Sequence, residues 1–185
     1  KIYLYLMENL LFIMQSKQQN LQKKIKRVFV STDSKKIAMV SRRYGAEVPF
    51  LRKKKYAGDF STTEETLVEF LKKLKSKLDY KPDIIVYLQA TDIFRKLKLV
   101  NKCIDNLVKN KKVDSSFIVT PLHKNFWNIK KNNFKKINKK DIYLPRQKKT
   151  PIFREDTGLC LATRSYCINL KDRIGKKIMP VINTS

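Results

Sequence analysis

The stretch DIIVYLQATDIFRK, residues 83–96, decides the fold class, because it has the pattern of a strand buried within a sheet and shows where that strand ends. Residues 84–88 are all apolar, which is typical of a strand in a sheet that is covered on both faces. Four polar residues follow, without a glycine or proline to form a tight turn: Gln89, Thr91, Asp92 and Arg95. The strand therefore brings much hydrogen-bonding capacity to its carboxyl end.

Strands and helices alternate on both sides of this stretch. The crossovers are long enough for helices, and this alternation predicts an α/β fold with an open, mainly parallel Rossmann-like sheet. The length, 185 residues, predicts a single domain over residues 1–185. Helices are predicted over residues 33–44, 61–78 and 96–110, and strands over residues 27–31, 83–89, 115–121 and 158–164.

Capping residues place the boundaries of two of these helices. The first has Asp33 or Ser34 as its N-cap and Gly45 as its stop. The second begins where Ser61 and Glu64 have the spacing of a capping box.

In open α/β sheets, ligands bind beyond the carboxyl ends of the strands. Gln89 and Thr91 are predicted to lie there, and the amide of Gln89 needs hydrogen-bond partners at the end of a buried strand. For Asp92 we favour the alternative that it caps the next helix.

The N-terminal run IYLYLMENLLFIM, residues 2–14, is interrupted by Glu8 and Asn9. It is shorter than the about 18 apolar residues that a membrane span requires, and no small-residue cleavage site follows it. We interpret it as an amphipathic helix packed on the domain, and we expect no membrane association. Three cysteines without a C-x-x-C pair and one histidine argue against zinc and disulfides and favour a reducing cytoplasm.

The net charge is +26 and the pI is about 10.1, which suggests a nucleic-acid-binding module as one alternative. Of the 42 basic residues, however, nine are arginines, and the lysines are scattered from end to end. Because arginine is the residue best suited to bidentate phosphate and base contacts, we expect no nucleic-acid partner. Handling of a small polyanion fits the same charge.

Residues 124–150 differ from the rest of the chain, since single large apolar residues are separated there by lysine and asparagine. This pattern predicts a hairpin-like excursion, an arm rather than part of the core.

Four segments, in order between residues 27 and 164, resemble the acylneuraminate cytidylyltransferases. They are similar to the family's S-T-D strand and Y/F-G-A-E-V segment, its A-x-D-x-x-S/T-S/T turn, its L-L-Q-P-T-S-P-L-R strand end and its P-R-Q segment with a following Y/F-R. In this chain the four segments read RVFVSTDSKKIAMVSRRYGAEVPFLR, YAGDFSTTEETL, IIVYLQATDIFR and LPRQKKTPIFREDTGLCLATR.

The resemblance implies transfer of CMP from CTP to the anomeric hydroxyl of a nonulosonic sugar acid, with release of pyrophosphate and a requirement for Mg²⁺. It also implies a nucleotidyltransferase sheet and a homodimer, which would explain the arm as a dimerisation element. The acid could be N-acetylneuraminate, legionaminate, pseudaminate or 3-deoxy-manno-octulosonate, because LQATDIFR lacks both prolines of the usual loop.

The resemblance also assigns site residues, each with a plainer alternative. Four would bind nucleotide and four would bind the sugar acid: Arg52, Ser61, Thr62 and Thr63, and then Gln89, Thr91, Arg146 and Arg154. Arg52 could instead be a solvated charge, Arg146 could be surface, and Arg154 could form a local ion pair with the acidic residues that follow it. Ser61 has a capping role in either case.

Two parts of the family pattern are missing. No segment resembles the A-R-x-G/N-S-K loop that wraps the triphosphate, and the I-D-I-D-T segment that holds the metal falls beyond the matched region. We therefore expect a piece truncated at both ends, which binds nucleotide weakly and releases no pyrophosphate by itself. A non-catalytic relative of the family is the other interpretation.

Overall fold

A computed structural model describes residues 2–7, 24–89, 91–92, 95–137 and 143–184, with residues 2–7 described by their backbone. Within the described residues, three helices belong to the sheet domain: α1 (Lys35–Arg43), α2 (Thr63–Leu78) and α3 (Leu97–Lys109). The strands are β1 (Ile2–Met7), β2 (Ile25–Val30), β3 (Ile84–Gln89), β4 (Ser115–Leu122), β5 (Trp127–Lys130), β6 (Asn133–Lys136), β7 (Ile152–Glu155), β8 (Leu161–Arg164) and β9 (Val181–Ile182). Short 3-10 turns lie at Lys54–Tyr56, Arg146–Lys148 and Ser165–Cys167.

The main sheet has seven strands, in the order β2-β1-β3-β8-β4-β7, with β9 beside β4. The predicted α/β class is confirmed, but the expectation of a mainly parallel sheet is wrong. Strand β1 is parallel to β2 and to β3, whereas β8 is antiparallel to both β3 and β4, and β7 is antiparallel to β4. The reason is that β8 returns from the arm and inserts between β3 and β4, two strands that otherwise run in the same direction.

The N-terminal run begins as a strand, so the interpretation of residues 2–14 as an amphipathic helix is wrong for its first half. The backbone of Ile2–Met7 pairs with β2 on one side and with β3 on the other. A central strand needs a continuous apolar run rather than a helical period, and IYLYLM supplies one. Residues 8–23 lie outside the described part of the chain.

Side chains from the two faces of the sheet form two cores. On one face, α1 and α3 cover strand residues such as Val30, Val86 and Leu88. On the other face, α2 packs against Phe29 and Tyr87. The helix residues in these cores are Ala38, Val100, Cys103, Ile104 and Leu107 on the first face and Leu67, Phe70 and Leu74 on the second.

Local capping fixes the helix ends close to the predicted positions. Ser34 is the N-cap of α1, and its hydroxyl accepts a hydrogen bond from the amide of Ile37 at 3.3 Å. Gly45 follows the helix with a φ of 81°, a conformation that favours glycine.

The predicted capping box of the second helix is displaced by one residue. The cap is Thr62, whose hydroxyl accepts from the amide of Glu65 at 3.1 Å, and the Glu65 carboxylate accepts from the amide of Thr62 at 3.1 Å. In STTEE, residues 61–65, both Ser61 with Glu64 and Thr62 with Glu65 have the spacing of a capping box. The structure forms the second of these pairs.

The arm contains a β-hairpin, as the sequence predicted. Strands β5 and β6 are joined by Lys131 and Asn132, both with positive φ (49° and 58°), which is the geometry of a two-residue type I′ turn. Residues 138–142 of the arm lie outside the described residues.

Across the described ranges, no helix is both long enough and apolar enough to cross a membrane.

Candidate functional site

Strands β1, β2 and β3 run parallel, so their carboxyl ends meet at one edge of the sheet, the carboxyl edge. At this edge β2 continues into Ser31 and Thr32, both of which are buried. The Thr32 hydroxyl accepts a hydrogen bond from the amide of Ser34 at 3.1 Å, which fixes the turn into α1.

Arg52 lies buried behind this turn, and its side chain is 8% exposed. Its Nη2 donates to the carbonyl oxygen of Ser31 at 2.6 Å, and its backbone amide donates to the carbonyl oxygen of Thr32 at 2.8 Å. The Nε atom is buried without a hydrogen-bond partner, and no carboxylate in the described part of the chain forms an ion pair with this guanidinium. The alternative of a solvated charge is therefore wrong, since this cation is buried and no carboxylate of the described residues neutralises it.

The N-terminus of α2 lies beyond the 3-10 turn at Lys54–Tyr56. The Ser61 hydroxyl donates to the carbonyl oxygen of Lys55 at 2.9 Å, and the Thr62 hydroxyl is occupied as the cap. The amides of Thr63 and Glu64 belong to the first turn, whose N–H groups have no partner within the helix. The backbone of this turn can therefore donate to an anion.

Thr63 connects the turn to the sheet through Tyr87 of β3. Burial raises the pKa of the Tyr87 hydroxyl, and a hydrogen bond with Thr63 partly offsets that effect. Because Tyr87 is 1% exposed, Thr63 lies against the core rather than on the outer surface of the turn.

Gln89 ends β3 with an exposed side chain and a fixed backbone. Its amide donates to the carbonyl oxygen of Gly158 at 2.8 Å, and its carbonyl oxygen accepts from the amide of Asp92 at 3.2 Å. A Cβ atom on Gly158 would lie 2.0 Å from the Oδ2 atom of Asp92 and 2.9 Å from the Oε1 atom of Gln89. The turn before β8 thus packs directly against the end of β3, and Thr91 is exposed beside it.

Asp92 does not cap the next helix. Helix α3 begins at Leu97, its N-cap is Lys96, and the Lys96 side chain makes no capping hydrogen bond. Arg95 instead holds the turn before β8, because it donates to the carbonyl oxygens of Leu159 at 3.1 Å and Gly158 at 3.3 Å. Burial lowers the pKa of Arg95, and the negative charge of Asp92 opposes that effect.

Arg154 of β7 forms the local ion pair that the sequence left open. Its Nε atom donates to the Oδ1 atom of Asp156 at 2.7 Å, and the Thr120 hydroxyl donates to the other carboxylate oxygen. This hydrogen bond to Asp156 raises the pKa of Arg154, with a smaller contribution from Asp92. The Arg154 side chain is 60% exposed, so its guanidinium remains accessible to a ligand at the same edge.

Arg146 lies elsewhere, in the 3-10 turn of the arm. It is exposed and lines a cleft of about 320 Å³ at the carboxyl end of β4, together with Pro121, Leu122, His123, Lys124 and Lys149. Phe117 of β4 is level with Tyr87, because both pair with Leu161 of β8, so β4 runs beyond the end of β3. Gln89 does not line this cleft.

Sequence reasoning missed Arg173. Its guanidinium contacts Glu64 of α2 and the Thr157 hydroxyl of the turn before β8. No motif could have indicated this, since Arg173 falls outside every segment that resembles the family.

No group of three or more His, Cys, Asp or Glu side chains suited to a metal ion occurs among the described residues. Asp156 is engaged by Arg154 and Thr120. The described residues therefore do not fit a Mg²⁺ site, and the Mg²⁺ expectation stays a prediction.

Two solved structures share this fold: a CMP:2-keto-3-deoxy-manno-octonic acid synthetase complexed with CTP (TM-score 0.58, 10% identity, covering 99% of this chain and 90% of that chain), and a 4-diphosphocytidyl-2C-methyl-D-erythritol synthase from Anaerococcus prevotii (TM-score 0.61, 13% identity, covering 98% and 86%).

The sequence profile of the cytidylyltransferase family matches residues 1–172, so the chain belongs to the cytidylyltransferase family. A CMP-N,N'-diacetyllegionaminic acid synthase of Legionella pneumophila is 29% identical over 163 residues, which are 85% of this chain and 68% of that protein. Together these matches confirm the resemblance to the acylneuraminate cytidylyltransferases.

Proposed function

We propose that this chain carries the site of a cytidylyltransferase that transfers CMP from CTP to a nonulosonic sugar acid and releases pyrophosphate. The observation that carries the proposal is the buried Arg52 guanidinium, which has no carboxylate partner among the described residues and lies at the carboxyl edge of a cytidylyltransferase fold. An uncompensated buried cation costs stability unless an anionic or strongly polar ligand compensates it.

On the nucleotide side, Arg52 and the first turn of α2 provide complementary donors. The guanidinium Nε is unoccupied, and the amides of Thr63 and Glu64 carry the positive end of the helix dipole. We assign the cytosine and ribose of CTP to Arg52 and to the turn formed by Ser61, Thr62 and Thr63. The side chains and the backbone amides of Ser61 and Thr62 are already bonded within the turn, so the amides of Thr63 and Glu64 would contact the ligand.

On the acid side, Gln89 and Thr91 present exposed polar groups at the end of β3. A carboxylate would pair with the exposed guanidinium of Arg154, whose planar fork matches carboxylate geometry. Arg146 lies on the arm, in a cleft that Gln89 does not line, and we assign it to the acid of a partner subunit.

The residues of such a site act by positioning the two substrates. The anomeric hydroxyl must lie in line with the α-phosphorus of CTP, which converts a bimolecular encounter into a reaction between bound groups. Mg²⁺ stays a prediction from the resemblance, because the described residues do not supply a set of ligands for it.

We further propose that the chain acts as a homodimer through its arm. Directly paired residues share a face of the hairpin, so Trp127, Ile129 and Phe134 lie on one side, and each is more than half exposed (56%, 57% and 68%). An exposed apolar face of this kind is typical of an interface. We place the enzyme in the cytoplasm, where it would activate acids for surface glycans.

The test is nucleotide selectivity measured by isothermal titration calorimetry. A cytidylyltransferase site binds CTP in preference to ATP and UTP. A nucleic-acid-binding module instead prefers oligonucleotides and loses orders of magnitude in affinity between about 50 and 200 mM salt. That second result, together with equal affinities for the three nucleotides, would refute the proposal.

A pyrophosphate assay with CTP, Mg²⁺ and each candidate acid then examines turnover. We expect no release from this chain alone, because the triphosphate loop pattern and a metal cluster are both missing from the described residues. Robust release would overturn that expectation while supporting the assignment of the family reaction.

A further inference from the structure

We propose that Arg173 is a positioning residue that ties the two halves of the carboxyl-edge site together. The inference rests on the proposed function, because it concerns how the nucleotide half and the sugar-acid half are held in register.

The contacts of Arg173 reach two segments that are far apart in sequence. Its Nη1 atom forms an ion pair with Glu64 in the first turn of α2. Its Nη2 atom donates to the Thr157 hydroxyl at 2.9 Å and lies 3.7 Å from the Oε1 atom of Glu155. The Thr157 hydroxyl in turn donates to Glu155 at 3.1 Å, so the guanidinium completes a network.

Apart from Glu155, whose side chain is 47% exposed, this network is largely shielded from water. The side chains of Arg173 and Glu64 are 21% and 17% exposed, and Thr157 is 6% exposed. Removing one partner of such an ion pair lowers the stability of the folded protein, because the remaining charge stays partly buried without a partner. A surface ion pair would contribute much less.

Each end of the network carries one half of the proposed site. The α2 end contains the Thr62 and Thr63 turn, which we assign to the nucleotide. The other end, residues 155–159, contains the carboxylate that orients Arg154 and the carbonyl group of Gly158 that fixes Gln89. Movement of one half is therefore transmitted to the other through Arg173.

Both charges of the ion pair between Arg173 and Glu64 act on Tyr87 of β3. Burial raises the pKa of Tyr87, whereas the positive charge of Arg173 lowers it and the charge of Glu64 raises it. Arg173 and Glu64 thus lie near the strand that separates the two halves of the site.

The experiment is hydrogen–deuterium exchange on the whole chain, free and with CTP, in three variants. Arg173→Gln removes the charge, Arg173→Lys keeps it without the fork, and Lys171→Gln is a matched charge-removal control two residues away. In the free protein we expect Arg173→Gln to speed exchange about tenfold in residues 62–66 and 155–159 together. We expect partial rescue in Arg173→Lys and no change in Lys171→Gln.

With CTP, the wild-type chain should gain protection in residues 155–159 as well as 62–66, and Arg173→Gln should gain it in 62–66 alone. Faster exchange in one segment only, or a uniform increase across the sheet, would overturn the role of Arg173. Coupled exchange in the free protein without any CTP effect in the wild type would contradict the proposed function and still support the coupling.

A charge swap keeps the test valid if the single variants fold poorly. Glu64→Arg combined with Arg173→Glu restores opposite charges at the same two positions. Recovery of coupled exchange in the double variant supports the proposal, and a loss equal to the sum of the single effects contradicts it.

Discussion

The backbone amide of Gln89 donates to the carbonyl oxygen of Gly158 at 2.8 Å, which fastens the end of β3 to the turn before β8. Arg95 donates to the same carbonyl oxygen at 3.3 Å, so one peptide group anchors both a strand end and a buried cation. The exposed side chain of Gln89 therefore projects from a fixed backbone. A proposed ligand-binding residue is useful only when its backbone is fixed in this way.

Gly158→Ala tests this close packing. The added Cβ would overlap Asp92 Oδ2, at 2.0 Å, and Gln89 Oε1, at 2.9 Å. Both atoms end flexible side chains that can move aside, so we expect a loss of stability of about 1 kcal/mol or less. Binding of the sugar acid should weaken more clearly. A fall of many degrees in the melting temperature, measured by circular dichroism, would show instead that the turn itself is disrupted.

Gln89→Ala should reduce binding of the sugar acid far more than binding of CTP, since Gln89 lies on the acid side of the proposed site. Gln89→Glu is the sharper variant, because a carboxylate of similar shape repels the carboxylate of the acid. Titration calorimetry with each ligand measures both effects. Equal losses for CTP and for the acid would remove Gln89 from its assigned role.

Arg52→Met separates stability from binding. Loss of the guanidinium removes a buried charge and also leaves the carbonyl group of Ser31 without its partner, so these two effects oppose each other. We expect a change in unfolding free energy within about 1 kcal/mol, and a fall in CTP affinity of at least about tenfold. Unchanged CTP affinity in a folded variant would contradict the nucleotide assignment of Arg52.

Substitutions on the two faces of the hairpin test whether the arm forms the dimer interface. Trp127→Ser with Phe134→Ser changes the apolar face, and Asn128→Ser with Lys135→Ser changes the opposite face. If the apolar face forms the dimer interface, the first pair yields monomers in analytical ultracentrifugation and the second pair leaves dimers. A monomeric wild-type chain at high micromolar concentration would count against the homodimer.

Thr62→Ala and Ser61→Ala form a matched pair for the cap of α2. Thr62 caps the helix in the structure, so its loss should cost about 1 kcal/mol. Ser61 makes one exposed bond to the carbonyl group of Lys55, and its loss should cost about half as much or less. Chemical denaturation gives both values, and the reverse order would favour the predicted box at Ser61 and Glu64.

Local chemistry explains which parts of the molecule could be predicted. Four correctly predicted features each depend on neighbours within a few residues. They are the apolar run at residues 84–88, the N-cap at Ser34, the end of α1 at Gly45 and the hairpin in the arm. Such features are encoded in short stretches, because capping, turn geometry and strand burial involve nearby atoms.

The errors share a different cause. The sequence could not place β8 between β3 and β4, because strand order depends on pairing between segments far apart in the chain. Asp92 has the composition of a cap, yet α3 begins five residues later, at Leu97.

By itself the sequence determined the family, the strand that ends in Gln89 and most of the proposed binding residues, because these are carried by motifs of contiguous residues. Tertiary structure alone decided the mixed direction of the sheet, the burial of Arg52 without a carboxylate partner among the described residues and the network of Arg173. Each of these depends on atoms that the chain brings together only when it folds, and no local pattern encodes such a distance.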